Sequence, residues 1–383
     1  MSRSDSWDSW DSWDSWDSWA SWNQSSRASG APSGMSAEAL TRSREGHVGL
    51  PHRKPGGALV APGLIRSWGA GGNLPASDPR LVSRIGSDVR IQLVTAELLE
   101  ELLFEPLGAT PNAVRVQHRS DNTRATVIEL HRPATKAFFE SQAMRVESWA
   151  SLRAERIPEI LTQLGPQFDY WSSIANLNPA YTPYTRELIM AAMSFTSTVV
   201  QRLKYMLPVP RPADFSSRIQ PVIDAPAFFA YPSGHATQAF MVARLLSLLI
   251  QQCSSGGDAL LELEAQLFRQ AERIATNRVV AGVHFPIDST AGCALGLTLA
   301  ELIATRGRLA QPSLVRSFDT TVFAGLETAD FEPIVNPGAP VPVQPIKGKC
   351  NPTGVASGTS KSFAALFWLM TQAKREWQAD GYL

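Results

Sequence analysis

The chain has 383 residues, 44% of them hydrophobic, and balances 35 Lys and Arg against 35 Asp and Glu for a formal net charge of 0. Such a chain can bury a sizeable core, and its balance excludes a surface built as a whole for nucleic acid or an acidic membrane, so any basic site is local. The cysteines, Cys253, Cys293 and Cys350, are too few and too far apart for a disulfide framework or a zinc-ligand pattern.

Residues 5–22 repeat Asp-Ser-Trp with period three, placing Trp7, Trp10, Trp13, Trp16, Trp19 and Trp22 at regular steps. That period fits neither a helix nor a strand, and apart from Ala20, which replaces the last Asp, the tract has no aliphatic residue with which to build a core. Regularly spaced aromatics suit repeated weak contacts. The chain stays rich in Gly, Pro, Ser and Arg up to about residue 88, so 1–88 is expected to be a disordered tail followed by an arm. The N-terminus lacks the basic start, apolar stretch and small-residue cleavage site of a standard secretory signal. No run of about 18 uncharged apolar residues appears either. The expectation is therefore a soluble, cytoplasmic protein with no integral membrane segment.

Regular structure is expected from residue 89. Residues 90–103 read as a helix, with Leu93, Leu98, Leu99, Leu102 and Leu103 apolar. Residues 114–116 and 126–130 flank Asp121-Asn122, a turn signal, which predicts a small hairpin. Helical patterns follow over 134–163, 184–206, 235–253, 257–280, 286–306 and 361–379. Residues 333–352, rich in Pro and Gly, read as a surface loop. The fold class is mainly α, a bundle of packed helices with a small β-hairpin at most. Residues 89–310 form the expected catalytic domain, and 311–383 add a Pro-rich loop and a terminal helix packed on it.

Chemistry concentrates in three segments. In the first, Lys204 stands near a helix end and Arg211 lies between Pro210 and Pro212, which hold the chain extended. A lysine supplies a compact charge, and an arginine a planar fork that grips two oxygens. In the second, Tyr231-Pro-Ser-Gly-His-Ala236 leads into an apolar helix. Ser233 can cap that helix, Gly234 permits close backbone approach, and His235 would stand beside an anion at the helix N-terminus, ready to move protons. The third is Asn277-Arg-Val-Val-Ala-Gly-Val-His-Phe-Pro-Ile-Asp288. Pro286 suits a first helical turn. Asp288 can then accept the second ring N–H of His284 and make its other nitrogen a better ligand or nucleophile, while Arg278 adds another fork of donors. His47, His52, His118 and His131 fall outside this constellation and read as surface or structural.

In order and spacing the three segments resemble the superfamily of vanadium-dependent haloperoxidases and type-2 phosphatidic-acid-phosphatase-like enzymes, whose signature runs Lys-x6-Arg-Pro, Pro-Ser-Gly-His, Ser-Arg-x5-His-x3-Asp. One position departs: Asn277 stands where the signature has Ser. The resemblance implies that Lys204, Arg211, Ser233, Gly234 and Arg278 bind the oxygens of vanadate or phosphate, and that His235, His284 and Asp288 are catalytic. In the haloperoxidase reading, placed first, vanadate is the cofactor, His284 is its axial ligand, and halide is oxidised with hydrogen peroxide. In the alternative, His284 attacks a phosphomonoester, His235 protonates the leaving oxygen and Asp288 supports His284. The wording Tyr231 to Thr237, and Phe228 at a position where chloroperoxidase-like members carry Phe, favour the first reading; Gln201, where such members offer Trp, opposes it. A third reading is a non-catalytic oxyanion-binding or assembly protein, against which His235, His284 and Asp288 all argue. No nucleic acid is expected as a partner, and a homo-oligomer is compatible with the sequence.

Overall fold

A computed structural model describes residues 78–309 except 109–111, 121–122, 134, 166 and 254–256, together with a strand at 316–318, residues 363–379 and positions 39, 42 and 43. The Asp-Ser-Trp tract, nearly all of the arm, His47, His52, the Pro-rich loop at 333–352 and Cys350 lie outside the described residues.

The elements run α1 (Pro79–Val82), α2 (Ser87–Leu99), β1 (Leu102–Leu107), β2 (Ala113–Ser120), β3 (Thr123–His131), α3 (Lys136–Trp149), a 3-10 turn (Ala150–Leu152), α4 (Arg153–Thr162), α5 (Phe168–Ala175), α6 (Pro183–Met206), α7 (Pro212–Phe215), α8 (Gly234–Gln251), α9 (Asp258–Val280), α10 (Pro286–Arg306), β4 (Arg316–Phe318) and α11 (Ala364–Ala379). The architecture is mainly α, as the helical periodicities imply. Three expected details change. The helix expected over 90–103 stops at Leu99, because Glu101 takes a left-handed backbone (φ 71°) and the following residues enter β1. The expected hairpin forms as β2 and β3, but β1 and β4 extend it to a four-stranded sheet in the order β1-β2-β3-β4, antiparallel except for β3–β4. β1 pairs with the next strand across a short connection, whereas β4 joins β3 from far along the chain. The single helix expected over 134–163 is broken by the 3-10 turn at Ala150–Leu152.

At the centre lies α8, in which every residue from Ala236 to Ile250 is buried. A helix apolar all round belongs in an interior, and α6, α9, α10 and α11 pack around this one. Its contact with α10 is unusually close. A Cβ added at Gly292 would stand 2.8 Å from Ser233 O, and one at Gly296 would stand 2.4 Å from Thr237 O. Only glycine lets the two backbones approach so far. Ser233 N–H also donates to Asp288 O (3.0 Å), so the start of α8 is pinned to the start of α10.

The terminal helix is tied in by carboxylate caps. Glu97 of α2 accepts from the main-chain N–H groups of Ala365 and Leu366 (3.0 and 2.9 Å) at the start of α11. Glu376 of α11 accepts from those of Tyr184 and Thr185 (2.7 and 2.8 Å) at the start of α6. Carboxylates at helix N-termini satisfy orphan donors and oppose the macrodipole.

Candidate active site

Helix α6 carries Lys204 in its last turn, and α6 ends where Pro208 and Pro210 follow. Lys204 is 2% exposed. Its Nζ donates to the carbonyls of Phe229 and Ala230, both at 2.8 Å, and lies 5.1 Å from the Phe228 ring centroid. Arg211 has the extended backbone its flanking prolines dictate, and its N–H is held by Asp214 Oδ2 at 2.7 Å. From there its guanidinium donates to Phe228 O and Val283 O (both 2.9 Å) and meets His284 Nε2 at 3.1 Å.

Ser233 caps α8, its Oγ accepting from Ala236 N–H at 3.4 Å. Gly234 and His235 follow in the first turn, half-buried, and both line a cavity of about 750 Å³. Burial, and then the Arg278 charge, push the His235 pKa down to about 3.

Helix α9 ends at Val280, and the turn that follows needs Gly282, whose φ is +84°; a Cβ there would also lie 2.8 Å from Arg153 Nη2. The turn delivers His284 to the cavity wall at the entrance of α10. His284 Nδ1 meets Asp288 Oδ2 at 3.0 Å, and the same carboxylate oxygen accepts from Phe285 N–H at 2.9 Å. Nδ1 therefore carries the proton and Nε2 presents its lone pair towards Arg211. Burial and the Arg211 and Lys204 charges hold the His284 pKa well below its ordinary value, while burial pushes Asp288 up to about 7. Arg278, 1% exposed, donates through Nη2 to Ile160 O and Gln163 Oε1, both at 3.0 Å. Its Nε and Nη1 are buried with no hydrogen-bond partner among the described residues. Burial lowers its pKa to about 10, so it stays charged at neutral pH.

Of the eight residues singled out in the sequence, Lys204, Arg211, Gly234, His235, Arg278 and His284 line one cavity. Ser233 and Asp288, each 0% exposed, stand behind it, as helix cap and as partner of His284. The rest of the wall is largely apolar and includes Leu161, Leu164, Val222, Ile223 and Phe228. Gln163, which no motif marked, accepts from Arg278 and Asn277. It closes one of the helical patterns, and only the tertiary fold reveals it. Outside the site, His118 and His131 pair with Glu101 and Glu129, each at 2.9 Å.

The geometry can seat a tetrahedral anion among three cations, with an oriented imidazole on one side and a proton carrier on another. Comparison with known proteins agrees with this at the level of the family. Residues 187–308 match the PAP2 superfamily. A solved structure, described as the first transmembrane PAP2 type phosphatidylglycerolphosphate phosphatase from Bacillus subtilis, is similar at 22% identity. The match covers 43% of this chain and 84% of that one, with a TM-score of 0.35. No curated protein matches. The expectation of a soluble cytoplasmic protein with no integral membrane segment is overturned. The 21 residues Pro286–Arg306 are long and apolar enough to cross a membrane, although this stretch is buried inside the fold, and the similar structure is described as transmembrane. Asp288, Glu301 and Arg306 interrupt this helix, so it offers no uncharged run of spanning length. With its three motif segments on one cavity wall, the chain carries a PAP2 superfamily domain at residues 187–308.

Proposed function

We propose that the chain is a phosphatase that hydrolyses a phosphate ester through a phosphohistidine at His284. The observation that carries this reading is the His284 imidazole, its Nδ1 held by Asp288 and its Nε2 turned to Arg211 on a cavity wall shared with Lys204 and Arg278. The sequence placed halide oxidation first; the PAP2 superfamily match supports the phosphatase reading and lends nothing specific to the other, so the order is reversed.

In this mechanism the phosphoryl oxygens take donors from Lys204, Arg211, Arg278 and the main chain at Gly234, with Ser233 fixing that helix start. The Nε2 lone pair of His284 attacks phosphorus as the ester P–O bond breaks. Asp288 stabilises the imidazolium charge that forms, and His235 gives its proton to the leaving oxygen. Water then attacks, His235 takes a proton from it, the P–N bond breaks, and phosphate leaves. A bound oxyanion offsets the surrounding positive charge, which lifts the depressed pKa of His235 and lets it carry the proton.

The runner-up is a vanadium haloperoxidase, favoured by the aromatic ring of Phe228 lying 5.1 Å from Lys204 Nζ and 4.9 Å from the Arg211 guanidinium carbon. The donor set fits vanadate as well as phosphate: Arg278 has buried donors to offer, and His284 Nε2 is the nitrogen that would hold it. Bound vanadate would supply Lewis-acid activation of hydrogen peroxide towards halide.

The test assays the full chain for release of inorganic phosphate from a generic phosphomonoester, and, after orthovanadate loading, for bromide and iodide oxidation with hydrogen peroxide. Phosphate release that orthovanadate inhibits and His284→Ala abolishes is the expected result. Halogenation that depends on vanadate, without phosphate release, would overturn it.

A further inference from the structure

Gln163 is 0% exposed and stands at the end of α4, outside all three motif segments. Its Nε2 donates to Glu159 Oε1 at 3.1 Å, which sets the direction of the amide. Oε1 therefore faces the other way, where it accepts from Arg278 Nη2 and Asn277 Nδ2, both at 3.0 Å. Flipping the amide would aim N–H groups at two donors. Nη2 of Arg278 also donates to Ile160 O at 3.0 Å, so both of its hydrogens are used within the protein. What remains for a ligand are the Nε–H and the Nη1 hydrogens, which point to different sides of the guanidinium. Asn277, which replaces the Ser of the family pattern, is itself held: its Oδ1 accepts from Arg156 Nη1 at 3.1 Å.

We infer that Gln163 is a positioning residue for the site: its side-chain oxygen, aimed by the bond from its own amide nitrogen to Glu159, fixes the plane of the Arg278 guanidinium and so the direction in which the remaining N–H groups of Arg278 meet an oxyanion. The inference rests on the reading of this cavity as an oxyanion site. A planar guanidinium aims each of its N–H groups at a ligand oxygen only when its plane is correct. A single lost hydrogen bond to a charged group is enough to release that plane.

The probe is inorganic orthovanadate, its dissociation constant measured by titration calorimetry on the full chain. Gln163→Met keeps the side-chain length and removes the acceptor; it is expected to weaken binding roughly tenfold. In an Arg278→Lys background, which lacks the fork, the same substitution is expected to change binding by less than about twofold, because the effect acts through Arg278. A purely structural role would instead give factors that multiply, and that outcome, or a Gln163→Met protein that binds like the wild type, overturns the inference. Should Gln163→Met fail to fold by circular dichroism, Gln163→Glu decides. Its carboxylate still accepts from Arg278 but neutralises it, so binding is expected to weaken about tenfold or more, and wild-type affinity would sink the proposal. A wild-type chain that binds no orthovanadate overturns the oxyanion reading and this inference with it, whereas wild-type binding left unaltered in the Gln163 variants overturns the inference alone.

Discussion

Arg278 is a buried charge whose Nε and Nη1 have no hydrogen-bond partner among the described residues. A buried guanidinium left in that state costs several kcal/mol, and an anion offering an oxygen to either group would offset part of the cost. Replacing it with lysine keeps the charge and loses the fork, so Arg278→Lys is expected to lower kcat/KM for phosphate-ester hydrolysis by about a hundredfold. Steady-state kinetics on the purified variant would check this. The charge also leaves a mark on stability. His235 has its pKa pushed down from 6.5 to about 3 in the fold. Below its ordinary value the unfolded chain takes up a proton that the folded chain refuses. The stability His235 contributes is thus present above about pH 6.5 and is lost as pH falls towards 3. The loss is at most about 1.4 kcal/mol per pH unit, less because the ring is partly open to the cavity. His235→Gln should flatten the acid side of the stability profile in urea titrations from about pH 7 down to about pH 5; an unchanged slope would contradict the buried, neutral imidazole.

At the scale of elements, the close approach of α8 and α10 sets the distance between the Ser233 cap and the His284–Asp288 pair. Gly296→Ala puts a methyl group against Thr237 O and the Met241 N–H, at 2.4 and 2.9 Å before relaxation. The helices must separate, and the expected loss is about 3 kcal/mol by urea denaturation. A Gly296→Ala protein as stable as the wild type would show that the contact yields easily. The two helices also mark how much was legible beforehand. Pro286, and the Ser233 cap with the apolar run after His235, announce where α10 and α8 begin, because capping chemistry is local. The eight motif residues were legible for the same reason, each segment lying at a helix boundary. Strand β4 was not, since its partner β3 is distant in sequence, and β1 was absorbed into the helical reading of 90–103, whose leucines run on into it. Gln163 was hidden too: its role comes from α4 lying beside the end of α9, contacts separated by more than a hundred residues. The burial of α10 inside the bundle likewise depends on what packs around it, and a scan of charge and hydropathy could not place it.

For the molecule as a whole, α11 acts as a clasp between α2 and α6 through Glu97 and Glu376. Burial raises the pKa of both carboxyl groups, against the downward pull of the N–H groups they accept from. Glu376 also accepts from Thr185 Oγ1 at 2.7 Å, which in turn accepts from Trp377 Nε1 at 3.0 Å. Removing both caps as Glu97→Ala and Glu376→Ala is expected to lower stability by roughly 2–4 kcal/mol, the sum of two lost N-caps. Thermal or urea melting would measure it, and loss of only the α11 signal with the rest of the transition unchanged would mean that the clasp is not cooperative with the core.

That clasp also sets an order in time. Lys204 through Asp288, everything that faces or backs the cavity among the motif residues, is synthesised before Glu376, the residue that closes the start of α6. A growing chain on the ribosome thus holds all the chemistry of the pocket while the first turn of its lysine-bearing helix still offers open N–H groups to water. The pocket acquires its finished support only when the segment around residue 376 emerges and folds back.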